Sequence, residues 1–221
     1  MPMTTALSRP LLARHRRDPF SGYSHLVGLG LAVVGGLWLA VAASRGASLA
    51  AVLVYAACMV ALYAASSAYH LIDLGAAVTA RLRRFDHAAI FLMIAGTSTP
   101  LFVHALTGST RIFMLAAVWG VALVGILLRA FWFGAPRWFY VATYLAAGWI
   151  VVLRWKAVMS GLPALSLSLL VAGGIVYSLG AVVYALKWPD PLPKRFGFHE
   201  IWHLFVMGGS ALHFGAILAV A

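Results

Sequence analysis

Seven stretches of this chain are long and apolar enough to cross a bilayer, and short polar links separate them. A span of the hydrocarbon core needs about 20 predominantly apolar residues. Hydropathy predicts helices over about Ser24–Ala43, Ser48–His70, Phe85–Ala105, Ser109–Arg129, Trp138–Leu153 and Leu165–Leu186. The seventh runs from about Phe198 to the end of the sequence. Spans use almost every residue, which leaves no room for a soluble domain. Residues 1–23 read as a basic tail and residues 24–221 as one seven-helix transmembrane domain. With 63% hydrophobic and 10% charged residues, the chain lies far from an ordinary soluble protein, where about a quarter of residues are charged. The fold class expected is therefore an all-α integral membrane bundle.

The cations give an orientation. With the N-terminus in the cytoplasm, Arg9, Arg14, Arg16, Arg17, Arg81, Arg83, Arg84, Arg129, Arg137, Lys187, Lys194 and Arg195 fall on the cytoplasmic side. Only Arg45, Arg111, Arg154 and Lys156 fall opposite, twelve against four, and the bias repeats from link to link. The C-terminus is then extracytoplasmic. The net positive charge reads as topogenic and lipid-directed, with membrane lipids and no nucleic acid as partners. The first twenty residues lack the apolar core and cleavage site of a signal peptide, so the first span is expected to persist in a plasma (inner) membrane protein. Cys58 is the single cysteine, which precludes an intrachain disulfide.

Charges at membrane depth are costly and usually functional. Of five acidic residues, Asp18, Asp73 and Asp190 fall in polar segments, while Asp86 and Glu200 are expected at the starts of the third and seventh helices. An acid there complements the helix dipole, which is the plainest reading of both. The histidines shift the weighing. His70 closes the second helix one turn after Ser66, and His199 and His203 open the seventh. Positions i and i+4 share a helical face, so both imidazoles can reach one ion. The derived topology brings His70, Asp86, His199 and His203 to one depth, although charge counting took no account of the histidines.

Three imidazoles with an open fourth position form a ligand set of catalytic zinc, and nitrogen ligands suit other transition metals too. Asp86 is then placed to orient or deprotonate a water, and Ser66 to assist by hydrogen bonding. Scattered interfacial histidines and a capping aspartate are the alternatives. The string His199-Glu200-Ile201-Trp202-His203 also fits the H-E-x-x-H pattern of zinc metalloproteases, where the glutamate is the base. His25 and His213 read as interhelical hydrogen-bonding residues. His87 lies about 100° from Asp86 on the helix and outside the expected site. Thr97 to Pro100 read as a kink, the glycine pairs Gly28/Gly30, Gly35/Gly36 and Gly173/Gly174 as close packing, and Trp132, Trp138, Trp155, Trp188 and Trp202 as interfacial belts.

Three segments together resemble the bacterial hemolysin III-related proteins: Ser66-Ser67-Ala68-Tyr69-His70, Arg84-Phe85-Asp86-His87 running on to Thr97-Ser98-Thr99-Pro100, and Phe198 through His203. That group is similar to the adiponectin and progestin receptors, within a wider set that includes alkaline ceramidases. The resemblance extends from Tyr23-Ser24-His25 nearly to the end. It implies seven helices with an inward N-terminus, zinc on His70, His199 and His203, and supporting roles for Asp86 and Ser66. It further implies hydrolysis of a lipid amide or ester. A receptor with structural zinc and a pore-forming cytolysin are the competing expectations.

Overall fold

In the computed structural model the described residues are 18–43, 49–73, 75–132, 134–193 and 195–221. Arg9, Arg14, Arg16, Arg17, Arg45 and Lys194, used above for orientation, lie outside them. Seven helices are long and apolar enough to cross a membrane: α1 (Pro19–Ala43), α2 (Leu49–Leu71), α3 (Ala76–Ala105), α4 (Gly108–Phe131), α5 (Arg137–Gly161), α6 (Ala164–Leu186) and α7 (Phe198–Leu218). At about 1.5 Å per residue each exceeds the roughly 30 Å of a hydrocarbon core. The all-α, seven-helix expectation is met.

Local chemistry explains the boundaries that hydropathy missed. α1 starts at Pro19 because Asp18-Pro19 is a helix start. The Asp18 carboxylate accepts from the Ser21 backbone N–H at 3.3 Å, and proline takes the first helical position, where no donor is needed. At α7, Glu200 Oε2 accepts from the Gly197 N–H at 2.8 Å, so the dipole-and-cap reading of Glu200 holds. For Asp86 it fails. α3 begins at Ala76, nine residues before the expected Phe85, so Asp86 sits ten residues into the helix, beyond the reach of the terminal dipole. Arg81, Arg83 and Arg84 had masked the first turns of α3, although a helix can carry them at an interface. α5 is longer than the expected Trp138–Leu153 because the six-residue 3-10 segment Trp149–Arg154 joins two α-helical pieces into one span.

The surface is apolar where that of a soluble protein is polar. On α1, Leu31, Val34, Leu37 and Val41 are 63–67% exposed, while Ser21 and His25 on the same helix are buried. An outward apolar face this continuous fits lipid. Small residues let the helices approach. A Cβ on Gly36 would lie 2.9 Å from Ala56 of α2, and one on Gly28 would strike the Tyr63 ring. Gly35 faces Phe214 and Gly173 faces His213 in the same way, whereas Gly30 meets nothing within 4 Å. In α3, Pro100 cannot donate to the Gly96 carbonyl, and neighbouring hydroxyls crowd that turn. Ser98 donates to Ile94 at 2.9 Å and Thr99 to Ala95 at 2.7 Å.

Neighbours in sequence pack against one another from α1 to α4, α6 packs on α7, and α1 closes the bundle against α7. α5 is the exception. It lies across α3, α4 and α6 with sparser contact and roofs a cavity instead of filling it.

Candidate metal centre

The three histidines expected to share an ion do converge. His70 ends α2, and His199 and His203 occupy one face of the first turns of α7. Their ring centroids are 5.1 Å (His70–His199), 4.9 Å (His70–His203) and 4.7 Å (His199–His203) apart. One nitrogen from each lies within 4.8 Å of the others. Tetrahedral zinc with bonds of about 2.0–2.1 Å holds its ligand atoms roughly 3.3 Å apart, so side-chain shifts of about 1 Å would close the set.

The hydrogen bonding of each ring shows which atoms are available. His199 Nδ1–H donates to Asp18 Oδ2 at 2.8 Å, which leaves Nε2 to present its lone pair. His70 Nε2 and His203 Nδ1 are buried and have no hydrogen-bond partner among the described residues. An orphaned buried ring nitrogen costs about 1–3 kcal/mol, and two such nitrogens on neighbouring rings of one cluster fit metal ligands. The donor set is all imidazole, which suits zinc and its transition-metal neighbours and excludes a calcium or magnesium site.

Asp18, an ordinary polar-segment acid by sequence, is the main functional residue that spacing does not reveal. It comes from 181 positions away. One carboxylate oxygen caps α1, while the other takes His199 and also the Ser21 hydroxyl at 2.6 Å. Burial acts to raise the Asp18 carboxyl, but the hydrogen bonds from His199 and Ser21 outweigh it and hold the group below the usual carboxylate range. The Asp-Pro start signal could have located the residue at this depth; nothing in the sequence pairs it with His199. Outer carboxylates of this kind fix ring orientation and tautomer, and removing them costs about 10- to 100-fold in metal affinity. Asp18→Ala should therefore weaken zinc binding by about that factor in chelator competition. Unchanged affinity would reduce Asp18 to a helix cap.

The histidine cluster opens into a cavity of about 160 Å³ that extends between α3, α5, α6 and α7. His199, His203, Asp86 and Ser66 all line it, so the expected catalytic pair shares one space with two of the three expected ligands. Ser66 is 1% exposed, and its hydroxyl faces Asp86 without reaching a well-directed hydrogen bond. Beyond this polar end the walls are mostly apolar: Ile90, Met93, Ile94, Leu101, Val141 and Val206 among others.

Of the other residues singled out in the sequence, some differ from their expected places and one does not. His87 lines the cavity too, with Nδ1 bound to the Arg83 carbonyl at 2.9 Å and 3.8 Å from Asp86. Trp155 and Trp202, read as belt residues, are cavity walls. His213 is an interhelical hydrogen-bonding residue, its Nε2 donating to the Leu170 carbonyl at 3.1 Å. His25 is not: neither of its nitrogens has a hydrogen-bond partner among the described residues.

The comparisons with known proteins show the family. The family model described as "Haemolysin-III related" matches residues 13–214. Hemolysin-3 of Bacillus cereus is 36% identical over 200 residues, which cover 88% of this chain and 87% of the relative. The hemolysin-3 homolog of Bacillus subtilis is 39% identical over 140 residues, 62% of each chain. With the family signature matched from the first helix to the last and seven membrane-spanning helices behind it, the chain belongs to the haemolysin III-related family of multi-pass membrane proteins.

Proposed function

We propose that the protein is a membrane-embedded, zinc-dependent hydrolase of a lipid amide or ester, working at the cytoplasmic end of the bundle. The observation that carries this reading is the coincidence of an imidazole triad, a carboxyl and a hydroxyl on one mostly apolar cavity. A structural zinc needs no cavity.

Zinc held by His70, His199 and His203 supplies Lewis acidity toward a carbonyl and toward water. The chain's own residues supply the rest. Asp86 accepts a proton from the attacking water as its oxygen adds to the carbonyl carbon. The same carboxyl returns that proton to the amine or alcohol when the C–N or C–O bond breaks, which balances the hydrolysis. The Ser66 hydroxyl, with no bond of its own to break, donates to the oxygen on which negative charge develops. The apolar walls seat the acyl chain and exclude bulk water, so that each of these polar contacts acts in a low dielectric. In this scheme Glu200 is a helix cap and not the base of a metalloprotease, because its carboxylate is bonded to Gly197.

The test is release of fatty acid from C16 acyl amides and acyl esters by zinc-loaded protein, with a chelator control. Release that stops on chelation supports the hydrolase. No release, with zinc still needed for thermal stability, favours the second reading, a receptor or regulator in which zinc ties α2 to α7. The cluster's bridging of those two helices is what keeps that reading alive. A self-inserting cytolysin fits less well, since the apolar outer surface marks a resident bundle.

A further inference from the structure

His25 is the one buried imidazole of the cluster that neither the metal set nor a hydrogen bond explains. It lies on α1 two turns after Asp18 and is 3% exposed. Its ring is 4.0 Å from that of His203, tilted by 44°, and meets Tyr63 edge-on at 5.0 Å. Gly28, one turn further on, leaves room for the Tyr63 ring, so the pocket around His25 is built to hold it against the cluster. The group of nitrogens close enough to share an ion is that of His70, His199 and His203, and His25 does not join it.

The His25 ring approaches the His203 backbone, yet neither nitrogen reaches hydrogen-bonding geometry with any described group. A neutral imidazole carries one N–H in either tautomer. Burying that donor unpaired is expensive, and an apolar side chain would serve packing better. The partner must therefore enter from the cavity, whose wall includes His25. His25 and His203 line the same cavity with their rings 4.0 Å apart, so a group bound there beside His203 is also beside His25.

We propose that His25 is a substrate-binding residue whose buried, unpartnered N–H beside His203 donates a hydrogen bond to the carbonyl or carboxyl oxygen of the lipid in the cavity. This rests on the hydrolase reading and adds to it a second donor, on α1, lining the same cavity as Ser66 of α2. It requires no change in the protonation of the ring.

The probe is hexadecanoate, the carboxylate product expected from a C16 substrate, titrated into zinc-loaded protein in detergent. His25→Phe keeps a flat ring and removes the donor; His25→Gln restores an N–H at similar reach. The expected result is wild-type zinc content and melting temperature in both variants. Hexadecanoate affinity should fall about 10- to 100-fold in His25→Phe, as for loss of a hydrogen bond to a charged group, and recover in large part in His25→Gln. If His25→Phe does not fold, His25→Leu, which is smaller than phenylalanine and close to histidine in volume, carries the same comparison. Equal affinity in wild type and variant would overturn the proposal and leave His25 bonded to an internal water. Loss of zinc would make it a metal ligand instead. Equal destabilisation by both substitutions would make it a packing residue. If wild-type protein bound zinc but no hexadecanoate, the hydrolase reading would fall together with this one; if only the variant comparison failed, the hydrolase reading would stand.

Discussion

Asp86→Asn should leave about one zinc per chain in place and lower lipid-amide turnover by about 10²–10⁴-fold, the range contributed by a positioned acid–base group. The substitution is nearly isosteric, so packing around α3 is preserved, and it removes only the capacity to take a proton. The structure strengthens the case for this residue by removing its plainest alternative. An aspartate in the first turn of a helix is explained by the dipole; one ten residues after Ala76 is not. A carboxyl at that depth, in the wall of an apolar cavity and beside a histidine cluster, is costly unless it is used. Its contact with the His87 ring is 3.8 Å, longer than a hydrogen bond, and that ring is already bound to the Arg83 carbonyl. Turnover and zinc content measured on the same preparation separate the roles. Full turnover in the variant would end the assignment of Asp86 as acid–base group. A lowered melting temperature with turnover intact would make it structural.

What the sequence made legible was whatever a period or a fixed spacing encodes. The seven spans follow from run length, and the pairing of His199 with His203 follows from i,i+4 geometry. The arrival of His70 at the same depth follows from counting helices and charges. What it hid were facts of two kinds. Helix starts were obscured where charged residues belong to the helix, as Arg81, Arg83 and Arg84 do in α3, and this misplaced Asp86 relative to the dipole. Contacts across the bundle were also hidden. Asp18 and His199 lie at the two ends of the chain, and no spacing rule joins them. His25 was visible as a histidine in an apolar helix, for which a satisfied interhelical bond is the ordinary expectation; His213 meets that expectation and His25 does not. The difference lies in whether a carbonyl such as that of Leu170 happens to face the ring, which only the packed structure reveals.

His203→Ala should abolish zinc binding, and with it the dependence of thermal stability on zinc. The residue is 3% exposed, and its ring contacts each of the other three imidazoles, His70, His199 and His25. Its loss removes a ligand and also leaves a small void, so a lower melting temperature in the variant is expected on packing grounds alone. The informative quantity is therefore the shift caused by metal in each protein. A ligand bound to the folded state stabilises by about 4 kcal/mol at a free concentration a thousand times its dissociation constant. Wild-type protein should accordingly melt several degrees lower after chelation, while His203→Ala should melt at one temperature with or without zinc. Mass spectrometry should find about one zinc per wild-type chain and none in the variant. Because the triad joins the end of α2 to the start of α7, the loss should appear as loosening of that end of the bundle, measurable as faster amide exchange in the first turns of α7. If the wild-type protein holds no metal after zinc supplementation and melts identically with chelator, the cluster is a group of buried histidines and the hydrolase falls with it. If zinc is present and stabilising but no acyl amide or ester is ever cleaved, the same measurements favour the structural role, because they then describe a clamp between two helices and nothing more.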